Sequence, residues 1–156
     1  MTPLRARSPR GSRAVGSVSQ GRRTHVTLLA TLSAQGFGPS LQFAGALDRQ
    51  TFESFVATTL APSLQPGQIV VLDNLAVHKS PRVRHLIEAA GCHLLFLPTY
   101  SPDFNPIEQA FSKLKHLLRQ AEARTVEAVM TATEQIFPRI TADDARGFYQ
   151  GAGYNL

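Results

Sequence analysis

Apolar residues recur along this chain in short runs and in helical stripes, and the alternation of the two patterns divides it into elements. His25 to Leu32 (HVTLLATL) is apolar and β-branched over about a strand's length. Gly36, Gly38 and Pro39 mark a turn, and Leu41 to Leu47 is expected to return as a second strand. Asp48 is placed to cap a helix with Phe52, Phe55, Val56 and Leu60 on one face, ended by Pro62 and Pro66-Gly67. Ile69-Val70-Val71-Leu72 is continuously apolar between turn signals, which predicts a strand buried on both faces. Ser80 as N-cap and Pro81 at N1 open a helix through Ala90, closed by Gly91. His93 to Leu97 is a second buried strand, so strand, helix and strand form a βαβ unit with parallel neighbours. Residues 98–106 (PTYSPDFNP) carry three prolines and form a loop. A long helix follows from Pro106 to about Ala123, with Ile107, Ala110, Phe111, Leu114, Leu117 and Leu118 on one face. Thr125 and Thr141 cap two more helices, with Phe137-Pro138 between them. The class is α/β with a helical C-terminal third.

Composition narrows the function classes. The 156 residues are 43% hydrophobic, enough for a packed core. No stretch approaches the ~20 uncharged apolar residues of a membrane helix, and no apolar segment follows the N-terminal arginines as a secretory signal requires. Cys92 is the one cysteine, which excludes an internal disulfide or a thiolate metal cluster and makes a cytoplasmic setting the default. The net charge of +5 sits at one end. Residues 1–47 hold Arg5, Arg7, Arg10, Arg13, Arg22 and Arg23 and no acid, whereas the remainder has ten Lys plus Arg against eleven acids. Residues 1–23 therefore form a basic arm or hairpin, ahead of a domain over 24–156. Such an arm suits a polyanion such as nucleic acid; a solvated tail is the alternative.

Two acids occupy places where chemistry is done. Asp73 ends the first buried strand, at the sheet edge where open α/β folds bind ligands. Glu108 lies in the first turn of the long helix, and Ser112, Lys115 and Arg119 continue its polar stripe. Carboxylates on a sheet edge and a facing helix supply the hard oxygens a divalent cation takes, and two such ions serve phosphodiester chemistry. Each acid also has a structural explanation. Asp-Asn after a strand makes an Asx-turn, and Glu at N3 behind Asn105 and Pro106 is a variant of the capping box. His78, five residues after Asp73, can touch a phosphate or metal or else hold its own loop. His25, His85, His93 and His116 have no ligand spacing and are expected to be structural; Cys92 is expected to be a small core residue. Asp103 is proline-flanked and less rigidly held than Glu108. Phosphate-cradling glycine motifs of the GxxxxGK[ST] or GxGxxG kind are absent, which argues against a nucleotide-cofactor enzyme.

Two segments carry a resemblance. Val70-Val71-Leu72-Asp73-Asn74 with His78-Lys79-Ser80, and Leu97-Pro98-Thr99-Tyr100-Ser101-Pro102-Asp103-Phe104-Asn105-Pro106-Ile107-Glu108, resemble the "vvlDNxxxHks" and "lPxYSPdlNPIE" motifs of IS630-type transposases of the Tc1/mariner superfamily. Asp73 and Glu108 have 34 residues between them, the second-to-third acid spacing of that DD34E class. The likeness runs from near residue 5 to near the C-terminus, including Arg119 and the Gly151-to-Tyr154 tail. It implies an RNase H-like fold with a mixed five-stranded sheet flanked by helices. It implies a DDE catalytic domain in which Asp73 and Glu108 are catalytic metal ligands for two Mg²⁺ or Mn²⁺ ions, with Asn74, His78 and Asn105 in support. Implied too are cleavage at transposon ends and joining of the freed 3′-hydroxyl to target DNA. Arg5, Arg7, Arg10, Arg13, Arg22, Arg23, Lys115 and Arg119 are the candidate DNA contacts, in a bacterial, nucleoid-associated setting.

The sequence departs from that pattern twice. A helix-turn-helix region is not present, and neither is the first catalytic Asp, since no residue before Asp48 is acidic. The expectation is a partial catalytic domain without its first, central strand, weakly stable and with little or no strand transfer by itself. It would pair with itself or with an upstream transposase fragment. The competing reading is a remnant that no longer catalyses but grips DNA or an intact transposase subunit.

Overall fold

A computed structural model of the chain describes residues 25–99 and 101–155. The expected arm over 1–23 and Tyr100 lie outside the described residues. Two hairpin strands, β1 (Val26–Ser33) and β2 (Gly36–Ala44), pair antiparallel. Between them the turn is Ala34-Gln35, tighter and earlier than the Gly36-to-Pro39 turn the sequence suggests. Gly36 sits at φ +113°, and a Cβ there would come 2.9 Å from the Ile140 carbonyl oxygen, so the strand starts on a residue only glycine can fill. Gly38 and Pro39 fall inside β2, where the register shifts between Ala30 and Leu32. A bulge on an edge strand accommodates a proline because no ladder bond is asked of its nitrogen.

Helix α1 (Arg49–Phe55) starts at Asp48, whose carboxylate accepts from the Thr51 amide at 2.7 Å. That bond holds the Asp48 carboxyl below its ordinary value. The helix widens into a π-helical turn over Val56–Leu60, and Phe52, Phe55, Val56 and Leu60 are all buried, on the face the sequence assigns them. Strand β3 (Ile69–Leu72), helix α2 (Pro81–Ala89) and strand β4 (His93–Phe96) form the expected βαβ unit, with β3 and β4 parallel from Ile69 opposite His93 to Leu72 opposite Phe96. Ser80 caps α2, and Gly91 follows it in the left-handed region at φ +74°.

One expectation fails here. β3 and β4 are buried on one face only: Ile69, Val71 and Leu95 are 59%, 41% and 53% exposed. The side carrying Val70, Leu72, Leu94 and Phe96 packs against Phe52, Val83 and Ile87 from α1 and α2. A parallel strand is covered twice only where helices lie on both sides of its sheet, and those two helices lie on the same side.

Helices α3 (Pro106–Gln120), α4 (Val126–Ile136) and α5 (Ala142–Gly151) build the other half of the core. Leu114 and Leu117 of α3 meet Ile136, Ile140, Phe37 and Leu28. Leu29, the next residue of β1, belongs instead to the cluster of α1 and α2. β1 thus has apolar packing on both faces, because successive strand side chains point to opposite sides. Among the described residues the strands form two pairs, β1 with β2 and β3 with β4, rather than one five-stranded sheet. Among the described residues no helix is long and apolar enough to cross a membrane.

Thr141 and Asp144 close a reciprocal capping box at the start of α5, and Lys113 of α3 reaches Asp144 at 2.5 Å. The Lys113 hydrogen bond, helped by the Thr141 amide, lowers the Asp144 pKa from its ordinary 3.8. A carboxylate with a depressed folded-state pKa stabilises the fold above its unfolded value, and that contribution is lost as pH falls through the folded value. Asp144→Asn is therefore expected to cost roughly 1 kcal/mol at pH 7. The difference should vanish below the ordinary carboxylate range, as read from urea unfolding midpoints of both proteins at neutral and acid pH.

Candidate active site

Asp73 follows directly on β3, so the strand's last backbone bonds fix where its Cα stands. The Leu97 amide donates to the Leu72 carbonyl at 2.8 Å, which brings the start of the proline-rich loop beside Asp73. The Asn74 side-chain amide donates to the Leu97 carbonyl and ties the two segments again. Both sequence motifs therefore leave the sheet at the same carboxyl-terminal edge, because adjacent parallel strands end on the same side.

The Asp73 carboxylate is half-exposed and held from one side. Its Oδ1 accepts from the Leu75 amide at 3.0 Å, the Asx-turn foreseen as the structural explanation. The same oxygen accepts from His78 Nδ1 at 2.6 Å. Oδ2 has no partner among the described residues. The turn and an oxygen unpartnered among the described residues coexist, so the structural role of Asp73 does not exclude a chemical one. His78 is buried, with its ring centroid 4.4 Å from that of Phe52.

Glu108 occupies N3 of α3, as expected. Its capping role does not appear. The Asn105 side chain makes no cap bond, and the contact at that end is the Glu108 amide donating to the Asn105 carbonyl at 3.1 Å. The Glu108 carboxylate is exposed and without a hydrogen-bond partner among the described residues. Pro102–Phe104 turns once in 3-10 form, and the Tyr154 hydroxyl donates to the Phe104 carbonyl at 2.9 Å, bracing the loop from the C-terminus.

Lys115 and Arg119 are exposed on α3, and Arg119 Nε donates to the Lys115 carbonyl at 3.1 Å. With Ser112 and Gln109, Arg119 lines an open groove between α3 and Phe148 of α5. Arg5, Arg7, Arg10, Arg13, Arg22 and Arg23 lie outside the described residues. Asp103 is exposed in its turn, and Cys92 is buried as expected. His25, His85, His93 and His116 are all on the surface, so their expected structural role is not a core one.

The fit to divalent cations is partial. Asp73 and Glu108 offer unpartnered carboxylate oxygen, the donor such ions prefer. Among the described residues no group of three or more His, Cys, Asp or Glu is gathered to hold one. Two long-range contacts escaped the sequence. Glu53 of α1 accepts from the Ser80 hydroxyl, and the Tyr149 hydroxyl of α5 donates to the Leu32 carbonyl at 2.9 Å. Burial raises the Tyr149 pKa. Pairs separated by 27 and 117 positions leave no local signal.

A family model described as DDE superfamily endonuclease matches residues 1–130. The chain belongs to the DDE superfamily endonucleases. It is 28% identical over 119 residues to the transposase of the transposable element Tc1 of Caenorhabditis elegans, covering 74% of this chain and 44% of that protein. The Tcb1 transposase of Caenorhabditis briggsae is 28% identical over 102 residues, covering 63% of this chain and 37% of that protein. This DDE chain thus spans less than half the length of both relatives. Its fold is similar to that in the crystal structure of the Mos1 strand transfer complex, with a TM-score of 0.72 at 19% identity over 95% of this chain and 45% of that one. A pre-cleavage Mos1 transpososome gives 0.52 at 15% identity, over 97% and 52%. The mixed α/β fold is RNase H-like, and the relatives agree with the Tc1/mariner resemblance of the motifs. The DDE family is one of divalent-metal enzymes.

Proposed function

We propose that this chain is the catalytic part of a DNA transposase of the IS630 type, serving metal-dependent phosphodiester cleavage and strand transfer at transposon ends. The observation that carries this is the state of its two motif acids. Asp73 is fixed through one oxygen at a sheet edge with the other unpartnered among the described residues, and Glu108 stands at a helix start where its carboxylate caps nothing among them. An Asx-turn occupies one oxygen of Asp73 and leaves the other for a cation, and Glu108 serves no cap that would occupy its carboxylate. Asp73 and Glu108 would hold Mg²⁺ or Mn²⁺, and Asn74 and Asn105 would shape the two loop ends. Bound ions of that kind activate the attacking water or 3′-hydroxyl and stabilise the leaving oxygen. Lys115 and Arg119, on the stripe that begins at Glu108, would meet the DNA backbone, and the arginines of residues 1–23 would extend that contact. DNA is the partner, at transposon ends and at the target, with a second copy of the chain or an upstream transposase segment as a further partner.

One observation favours the remnant reading: among the described residues no group of three or more His, Cys, Asp or Glu is gathered to hold a metal ion. The chain alone should then bind DNA and cleave little. Binding of the purified chain to duplex DNA should fall steeply with salt. Replacing Arg5, Arg7, Arg10, Arg13, Arg22 and Arg23 by Ser should flatten the log–log slope by about 0.9 for each phosphate contact removed. A slope that does not change would remove the arm from the DNA interface. Magnesium-dependent cleavage should appear when the N-terminal half of a Tc1/mariner transposase is supplied in trans; its absence, with binding intact, would leave the remnant reading standing.

A further inference from the structure

We propose that His78 is a positioning residue for Asp73, fixing which carboxylate oxygen is offered to a metal ion; this rests on the reading of Asp73 as a ligand. The geometry has three parts. His78 Nδ1 and the Leu75 amide converge on the same oxygen, Oδ1, at 2.6 and 3.0 Å. Two donors on one oxygen stop the carboxylate from rotating about its Cβ–Cγ bond and leave Oδ2 as its only coordinating atom. Coordination is then through a single oxygen, with the lone pairs of Oδ1 engaged by the protein.

The imidazole is itself held. Its ring rests against Phe52 of α1, a core residue, and it belongs to a one-turn 3-10 segment over Ala76–His78. The next residue of α1, Glu53, receives the Ser80 hydroxyl and lies 3.8 Å from the Arg82 guanidinium. Phe52 and Glu53 thus clamp both ends of the His78–Ser80 segment onto a helix that is packed in the core. Asn74 anchors the loop's other end on Leu97. A loop carrying Asp, Asn, His and Ser at these spacings uses each of them to present one oxygen in one orientation. Partners of this kind behind a metal ligand are worth about 10–100-fold in metal affinity.

The test is Mn²⁺ binding by the purified chain, followed by electron paramagnetic resonance at fixed pH, with thermal unfolding recorded on every variant. His78→Phe keeps a ring against Phe52 and deletes the donor. It should weaken Mn²⁺ binding by about tenfold or more while the protein stays folded. His78→Asn carries an amide nitrogen on Cγ, where Nδ1 is, and should restore most of the affinity. His78→Gln sets its amide one bond further out and should not, which also keeps the comparison open if His78→Phe does not fold. Asp73→Asn is the control for the underlying reading. If it binds Mn²⁺ as tightly as the wild type, or if the wild type shows no saturable binding, Asp73 is not a ligand and both ideas fall. If Asp73→Asn loses the ion while His78→Phe keeps it, or if Asn and Gln behave alike, the positioning role alone is overturned.

Discussion

Asp73→Asn is expected to reduce magnesium-dependent strand cleavage by at least about 10³-fold, since a lost metal ligand forfeits several kcal/mol of transition-state stabilisation. The measurement uses the chain together with the N-terminal half of a Tc1/mariner transposase, joined in one reading frame or added as a separate polypeptide. The amide is nearly the size of the carboxylate and keeps an oxygen for the Leu75 amide, so the Asx-turn survives. What it removes is the carboxylate's negative charge and one of its two oxygens. DNA affinity should stay close to wild type, because Asp73 carries no positive charge to the phosphates. Unchanged cleavage in this variant would mean that Asp73 serves only its turn. An equal loss of cleavage and DNA binding would point to unfolding instead, which thermal melting of the variant would reveal.

The largest expected stability effect lies beneath the same site. Ile87 of α2 is fully buried in the cluster that joins α1, α2, β3 and β4. Ile87→Ala removes methylene and methyl groups from a close-packed interior and leaves a cavity, which costs about 2–5 kcal/mol. For a chain of this length that corresponds to a fall in Tm of roughly 5–15 °C. The loss is a large share of the 5–15 kcal/mol that holds an ordinary domain together. It should also loosen Phe52, and through it His78, so the loop after β3 should lose amide protection before α3 and α5 do. A Tm within a degree or two of wild type would show that this cluster does not hold the βαβ half together.

The order of the elements could be read without the structure because each is announced locally. Asp48, Ser80, Thr125 and Thr141 all cap the helices they precede, and three of them stand three or four residues ahead of a buried side chain, Phe52, Val83 and Ala145. The apolar face of α3 falls where a period of 3.6 puts it, with Ala110, Leu114 and Leu117 buried. The two acids were equally legible, as the ends of motifs whose order and spacing are properties of the chain. Where local signals competed, the sequence misled. Gly36, Gly38 and Pro39 look like a turn, yet the Ile140 carbonyl and a bulge claim them for β2. Four apolar residues in β3 look buried on both faces, yet burial depends on which side the helices choose.

By itself the sequence determined the family, the element order, the basic excess of the first residues and the identity of the two motif acids. Only the tertiary structure decided how those acids are held. It placed His78 between Phe52 and Asp73 Oδ1 and, among the described residues, left Oδ2 and the Glu108 carboxylate without partners and divided the strands into two pairs. The physical reason is range. Caps, turns and helical faces are written within about four residues of one another. The partner of a carboxylate oxygen is set by packing between segments that the sequence keeps far apart.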